Sequence, residues 1–205
     1  MINNCDKTIV DLIKPSIAIG PWIAGGAAMC WFQGGHLHAP RHDNLIQDID
    51  VFFANDEQLS EVRHRLCQHN YSTAPAFISK NAETFTFRSV EDFNTSGSFS
   101  KEEVWKVQLI KRKFYTSVHE VLENFDFVCC SIATDGKQFV SLPNTAKDLN
   151  ARVLNVNKYN PETSLPRTLK YWAYGFEPSA ELIDKIAQDE NININFAGYS
   201  DYDGT

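Results

Sequence analysis

No stretch of the sequence approaches the roughly 20 apolar residues that a helix needs to cross a bilayer. The longest weakly polar run, Ile17 to Phe32, is interrupted by Gly20, Pro21, Gly25 and Gly26, so no membrane association is expected. There is no excess of basic residues either: 19 Lys and Arg stand against 26 Asp and Glu, a net charge of −7. Proteins that coat nucleic acid are basic, because phosphate neutralisation supplies most non-specific affinity. A large nucleic-acid footprint is therefore not expected, and any such contact would be local. The five cysteines are odd in number, Cys129 and Cys130 are adjacent, and no secretory signal opens the chain. The expectation is reduced thiols and a cytoplasmic location. Internal repeats and low-complexity linkers are also missing. What is present is 43% hydrophobic and 22% charged residues over 205 positions, enough for one buried core with at most a small appendage.

The patterning predicts an α/β (α+β) domain: a mixed sheet with helices against it and a small helical C-terminal part. Asp11 to Ile23 reads as a short helix and an approach strand, and Ala27 to Phe32 as a helix opened by Gly25-Gly26. Ile49 to Phe53 is a short apolar run bounded by Asp48 and Asn55, hence a buried strand. Asn55 with Gln58, and Ser117 with Glu120, form two capping boxes. Alternation around Glu83–Val90 and Trp105–Leu109 predicts strands. Phe125 to Ala133 is expected as a strand paired with Gln138–Ser141 across Asp135-Gly136. Leu165, Leu169, Trp172 and Ala173 are expected to face inward on a C-terminal helix that Gly175 closes. The organisation expected is a core over 1–145, a helical part over 146–190 and a polar tail over 191–205.

Asp48-Ile49-Asp50 carries the chemistry. On a strand both aspartates project to one side, about 5–7 Å apart, and two carboxylates there make half of a site for a hard divalent cation. A bare D-x-D is also a common solvated strand face. Gly25 and Gly26 let backbone amides approach a phosphate, or simply make a tight turn. Asp126, between Phe125 and Phe127, is costly to bury unless a cation or donor meets it. On a strand beside Asp48 and Asp50 it would complete a three-carboxylate cluster. Arg167 and Lys170, one turn apart, with Tyr174 beyond, could offer cations to phosphates and a ring to a base, or a solvated helix face. Lys111-Arg112-Lys113 is either a dock for a polyanion or a strand edge that discourages aggregation. His36, His38 and His42 near Cys30 fit no structural-zinc spacing. That loop is expected to cover the site, with Arg41 on a phosphate.

The runs "IAGGAAMCWFQGG…DIDVFF", "VLENFDFVCCSIATDG" and "LPRTLKYWAYGF" resemble the DNA polymerase β-type nucleotidyltransferase superfamily, nearest its small stand-alone members of phage or bacterial type. The resemblance implies that Gly25 and Gly26 contact a triphosphate, and that Asp48, Asp50 and Asp126 bind two Mg2+ (or Mn2+) ions. It also implies transfer of a nucleoside monophosphate from an NTP, ATP first, to an acceptor hydroxyl on RNA, protein or a small molecule, with pyrophosphate released. Paired ions would stabilise attacking and leaving oxygens, with Asp126 the candidate base. The chain departs from the pattern in its long, His-containing interval between Gly26 and Asp48 and in Ala27-Ala28, where many relatives have serine. Two other readings compete. One is a catalytically inactive nucleotidyltransferase-like module that binds nucleotide or protein. The other is a glycosyltransferase, disfavoured by chain length and by the missing nucleotide-binding βαβ opening.

Overall fold

The computed structural model describes residues 4–34, 48–69, 75–90 and 102–189. Arg41, the three histidines around it and the polar tail lie outside the described residues. In chain order the elements are α1 (Asn4–Ile13), β1 (Trp22–Ala24), α2 (Gly26–Phe32), β2 (Asp48–Phe52), α3 (Asp56–His69), β3 (Phe77–Ile78), β4 (Ala82–Val90), β5 (Glu102–Ile110) and α4 (Val118–Leu122). A 3-10 turn (Val128–Cys130), β6 (Ile132–Thr134), β7 (Phe139–Ser141), α5 (Thr145–Ala151), β8 (Val153–Leu154), α6 (Ser164–Ala173), β9 (Glu177–Pro178) and α7 (Ala180–Ala187) follow. Among the described residues seven strands form one sheet in the order β3-β4-β5-β2-β1-β6-β7. β2 runs parallel to β5 and antiparallel to β1, and β6 joins the far side of β1. This is the mixed sheet with packed helices that the patterning predicts.

Strand alternation divides the core in two. Ile49, Val51, Phe85, Val107 and Leu109 meet Ile9 and Ile13 of α1 and Leu59, Val62 and Leu66 of α3 on one face. Each such side chain contributes about 1.5–3 kcal/mol by leaving water. On the other face Phe52 joins Val121, Leu122, Phe125 and Tyr171. Asp48 and Asp50 continue the face of Phe52 and are half-buried. The same strand that anchors the sheet therefore carries both aspartates on its second side.

Three expectations need correction, and three short elements were not expected. The strand expected over Phe125–Ala133 is reduced to Ile132–Thr134, with a bend and a 3-10 turn before it. Asp126 is therefore on no strand, and β1 separates β6 from β2. Ser131 Oγ donates to Phe127 O, and Asn157 and Lys158 from a distant loop donate backbone N–H groups to Asp126 O, so these carbonyls are taken up outside the sheet ladder. On α6 the buried stripe is Ser164, Thr168 and Tyr171, while Trp172 is 58% exposed. The two hydroxyl residues tolerate burial because Thr168 Oγ1 donates to Ser164 O and Ser164 Oγ accepts from Asn160 N. Finally, α5 and the parallel pair β8–β9, which ties it to the chain after α6, have no counterpart in the sequence reading.

Candidate functional site

Asp50 stands opposite Ala24 of β1 and beside Gln108 of β5; Asp48 stands beside Lys106. Period-two geometry puts all four polar side chains on one face. Gln108 Nε2 donates to Asp48 Oδ2 at 3.4 Å. Asp48 Oδ1, Asp50 Oδ1 and Gln108 Oε1 are buried and accept no hydrogen bond, although both aspartates have other contacts. Buried oxygen atoms without donors are rare, and each asks for a reason.

Gly25 closes the side of this face. Its φ of +79° lies in the left-handed region, and a Cβ there would fall 2.9 Å from Phe125 Cε1 and 3.8 Å from Asp50 Oδ2. Glycine is thus required twice over, by backbone and by contact. Its own amide is already committed, donating to Ile132 O at 3.0 Å. Gly26 begins α2, which Ala27 and Ala28 bury against the sheet.

The structure does not bring Asp126 into a metal cluster with Asp48 and Asp50. Among the described residues no group of three His, Cys, Asp or Glu side chains is arranged to hold an ion. Asp126 instead faces a cavity of about 340 Å³ whose lining includes four cations, Arg112, Lys113, Lys158 and Arg167, but neither Asp48 nor Asp50. Arg167 reaches it at 3.4 Å and Thr163 Oγ1 at 3.5 Å. Asn157 clamps the bend in place, its Nδ2 donating to Leu122 O and Phe125 O at 3.0 and 2.8 Å. Burial pushes the Asp126 carboxyl above the usual range, and Arg167 offsets only part of that.

Of the remaining candidates, Arg167 enters the cavity, while Lys170 and Tyr174 are not among its lining residues. The Tyr174 ring meets Tyr171 edge-on at 6.2 Å. In the basic trio Lys111 lies 3.7 Å from Glu83 and Lys113 bonds Glu120 at 2.6 Å, which holds the Glu120 carboxyl down to about 2. Arg112 lines the cavity wall. Cys129 and Cys130 are buried core residues with sulfurs 3.7 Å apart. Sequence reasoning missed Lys158 and the amides Asn124 and Asn160, because a cavity assembled from segments far apart in the chain leaves no periodic trace. The one available signal was the density of Asn and Lys between Asn155 and Asn160.

The chain is similar to the CCA-adding enzyme of Bacillus stearothermophilus in complex with CTP: TM-score 0.54, 16% identity, 89% of this chain and 42% of that one. It is also similar to the Thermotoga maritima CCA-adding enzyme complexed with tRNA: TM-score 0.52, 12% identity, 93% of this chain and 44% of that one. At such identities the likeness concerns the fold, which is nucleotidyltransferase-like, and this chain spans less than half the length of either enzyme. No curated protein sequence matches it. Residues 2–152, well over half of the sequence and including Gly25, Asp48, Asp50 and Asp126, match the family described as Gabija anti-defense 2 family protein. The chain belongs to the Gabija anti-defense 2 family.

Proposed function

We propose that this protein is a metal-dependent nucleotidyltransferase that moves a nucleoside monophosphate from an NTP, ATP first, to an acceptor hydroxyl and releases pyrophosphate. The observation that supports it most is the pairing of two half-buried carboxylates on one strand face with a cavity of four cations and one carboxylate that Phe52 of the same strand helps to line. The donors on the strand face are oxygens only, and Mg2+ is commonly held by one or two carboxylates completed by substrate phosphates. Asp48 and Asp50 would hold Mg2+ (or Mn2+). When bound, the ion supplies Lewis-acid stabilisation of charge at phosphorus.

The chain's own groups do the rest. Arg112, Lys158 and Arg167 offset the negative charge of the polyphosphate, and Asp126 holds Arg167 in place while balancing one of these cations. Phosphate oxygens that reach the glycine turn are met by amides from Gly26 onward, since Gly25 N–H is used inside the fold. Phe125, which packs against Gly25 close to Asp50, also lines the cavity. Lys170 and Tyr174, at the end of α6, are proposed as further nucleotide contacts.

The family description directs the acceptor search toward components of Gabija defence. The test is a titration with each of the four NTPs and Mg2+ or Mn2+, with lysate from cells that contain or lack Gabija proteins as acceptor pool. Pyrophosphate release that depends on metal and lysate is expected. Saturable nucleotide binding without pyrophosphate under any of these conditions would instead support the inactive nucleotide-binding module.

A further inference from the structure

The strand beside the aspartates carries Gln108 where the face calls for a third oxygen. Gln108 is the register partner of Asp50 on parallel β5, and its Nε2 donates to Asp48 Oδ2 at 3.4 Å. That hydrogen bond fixes which end of the amide is which, because the reverse orientation would set two acceptor oxygens against each other. The other end, Oε1, is then buried with no donor. A leucine or valine on this strand would bury the same position without stranding an acceptor.

We infer that Gln108 Oε1 is a third oxygen ligand toward the cation of Asp48 and Asp50, so that this chain's site consists of two carboxylates and one carboxamide. The inference rests on the metal reading proposed above. Carboxamide oxygens are ordinary ligands of hard dications, and Asp126 is turned toward Arg167. The ligand set carries two formal negative charges where three carboxylates would carry three, and Lys106 shares the face as the register partner of Asp48. The protein alone therefore binds its cation weakly, and the phosphates of the nucleotide complete both charge and coordination.

The test is Mn2+ binding to the full 205-residue chain, followed by the electron paramagnetic resonance signal of free Mn2+, with thermal melts run without metal. Gln108→Leu is expected to weaken Mn2+ binding by about tenfold, in the range found when groups around a metal are altered, while melting no lower than wild type. Gln108→Glu is expected to strengthen it by about tenfold and to melt lower without metal, since it sets a third charge beside Asp48 and removes the donor to Oδ2. If Gln108→Leu does not fold, the Glu variant decides alone. Wild-type binding abolished by Asp50→Asn but unmoved by either Gln108 substitution overturns the Gln108 assignment and leaves the metal reading standing. A wild-type chain that binds no Mn2+, with or without a non-hydrolysable NTP, overturns both.

Discussion

Gly25→Ala is the sharpest single-residue test of how the two halves of the site are joined. The added methyl meets Phe125 at 2.9 Å and the backbone sits at φ +79°, so the substitution should cost roughly 1–3 kcal/mol. A urea melt checks it, and Phe125→Leu in the same chain should recover the steric part only. Asp126 makes a prediction about pH. Its raised folded value means that the native state holds this proton at pH values where the unfolded chain has released it. Stability contributed by the group is thus present below the ordinary Asp value of about 4 and lost as pH rises through the raised value. Asp126→Asn should therefore gain on wild type across that window in urea melts taken at successive pH values. A wild-type advantage that grows with pH would mean the Arg167 pair outweighs desolvation. The positions of Asp48 and Asp50 on one strand, of Gly25 at the turn before α2 and of Arg167 on α6 were legible in the sequence, because strand period, glycine pairing and helix spacing are local. The placement of Asp126 was not, because Phe125, Phe127 and Val128 look like a buried strand when they in fact line a bend held by Asn157.

The helix caps show how far local rules carry. Gln58 N donates to Asn55 Oδ1 at 2.9 Å and Glu120 N to Ser117 Oγ at 3.3 Å, as the capping-box pattern requires. The return halves are displaced by one residue: Gln58 Oε1 accepts from Ala54 N and Glu120 from Thr116 N. Ser117→Ala should cost about 1 kcal/mol, read as a shift in the urea midpoint. A larger effect is expected at Glu83, buried on β4, whose carboxylate accepts two bonds from Arg63 of α3 at 2.6 and 2.9 Å. Glu83→Gln should lose roughly 2 kcal/mol, the range of hydrogen bonds to charged groups, because it is the polar clamp between sheet and helix. Elements with strong periodicity, β4, β5 and α3, were readable from the sequence. The two-residue strands β8 and β9 and the seven-residue α5 were not, since pieces so short are set by what they pack against. Helix α6 lies where the sequence puts it but is rotated, because the Ser164 and Thr168 hydroxyls bond backbone groups at Asn160 and Ser164 and are cheap to bury, while Trp172 stays exposed.

Charge is distributed against the average of the whole molecule. A chain of net −7 gathers four cations and one carboxylate around a single cavity, so long-range attraction of a polyphosphate is weak and local attraction strong. Binding of inorganic triphosphate should fall with added salt. Arg112→Met should weaken it by about tenfold, roughly 1.4 kcal/mol, without lowering the melting temperature; calorimetric titration at two salt concentrations checks both. Transfer of the nucleotidyl group itself can be followed with a labelled substrate. ATP labelled at the α-phosphate is incubated with Mg2+, lysate and either the wild-type chain or Asp50→Asn. The α-label is expected to become acceptor-bound, with one pyrophosphate released per transfer. Asp50→Asn is expected to lose at least a hundredfold, about 3 kcal/mol of transition-state stabilisation, with an unchanged or higher melting temperature. Label transfer that survives in Asp50→Asn, or a variant that transfers little because it melts far below wild type, would contradict the proposed function.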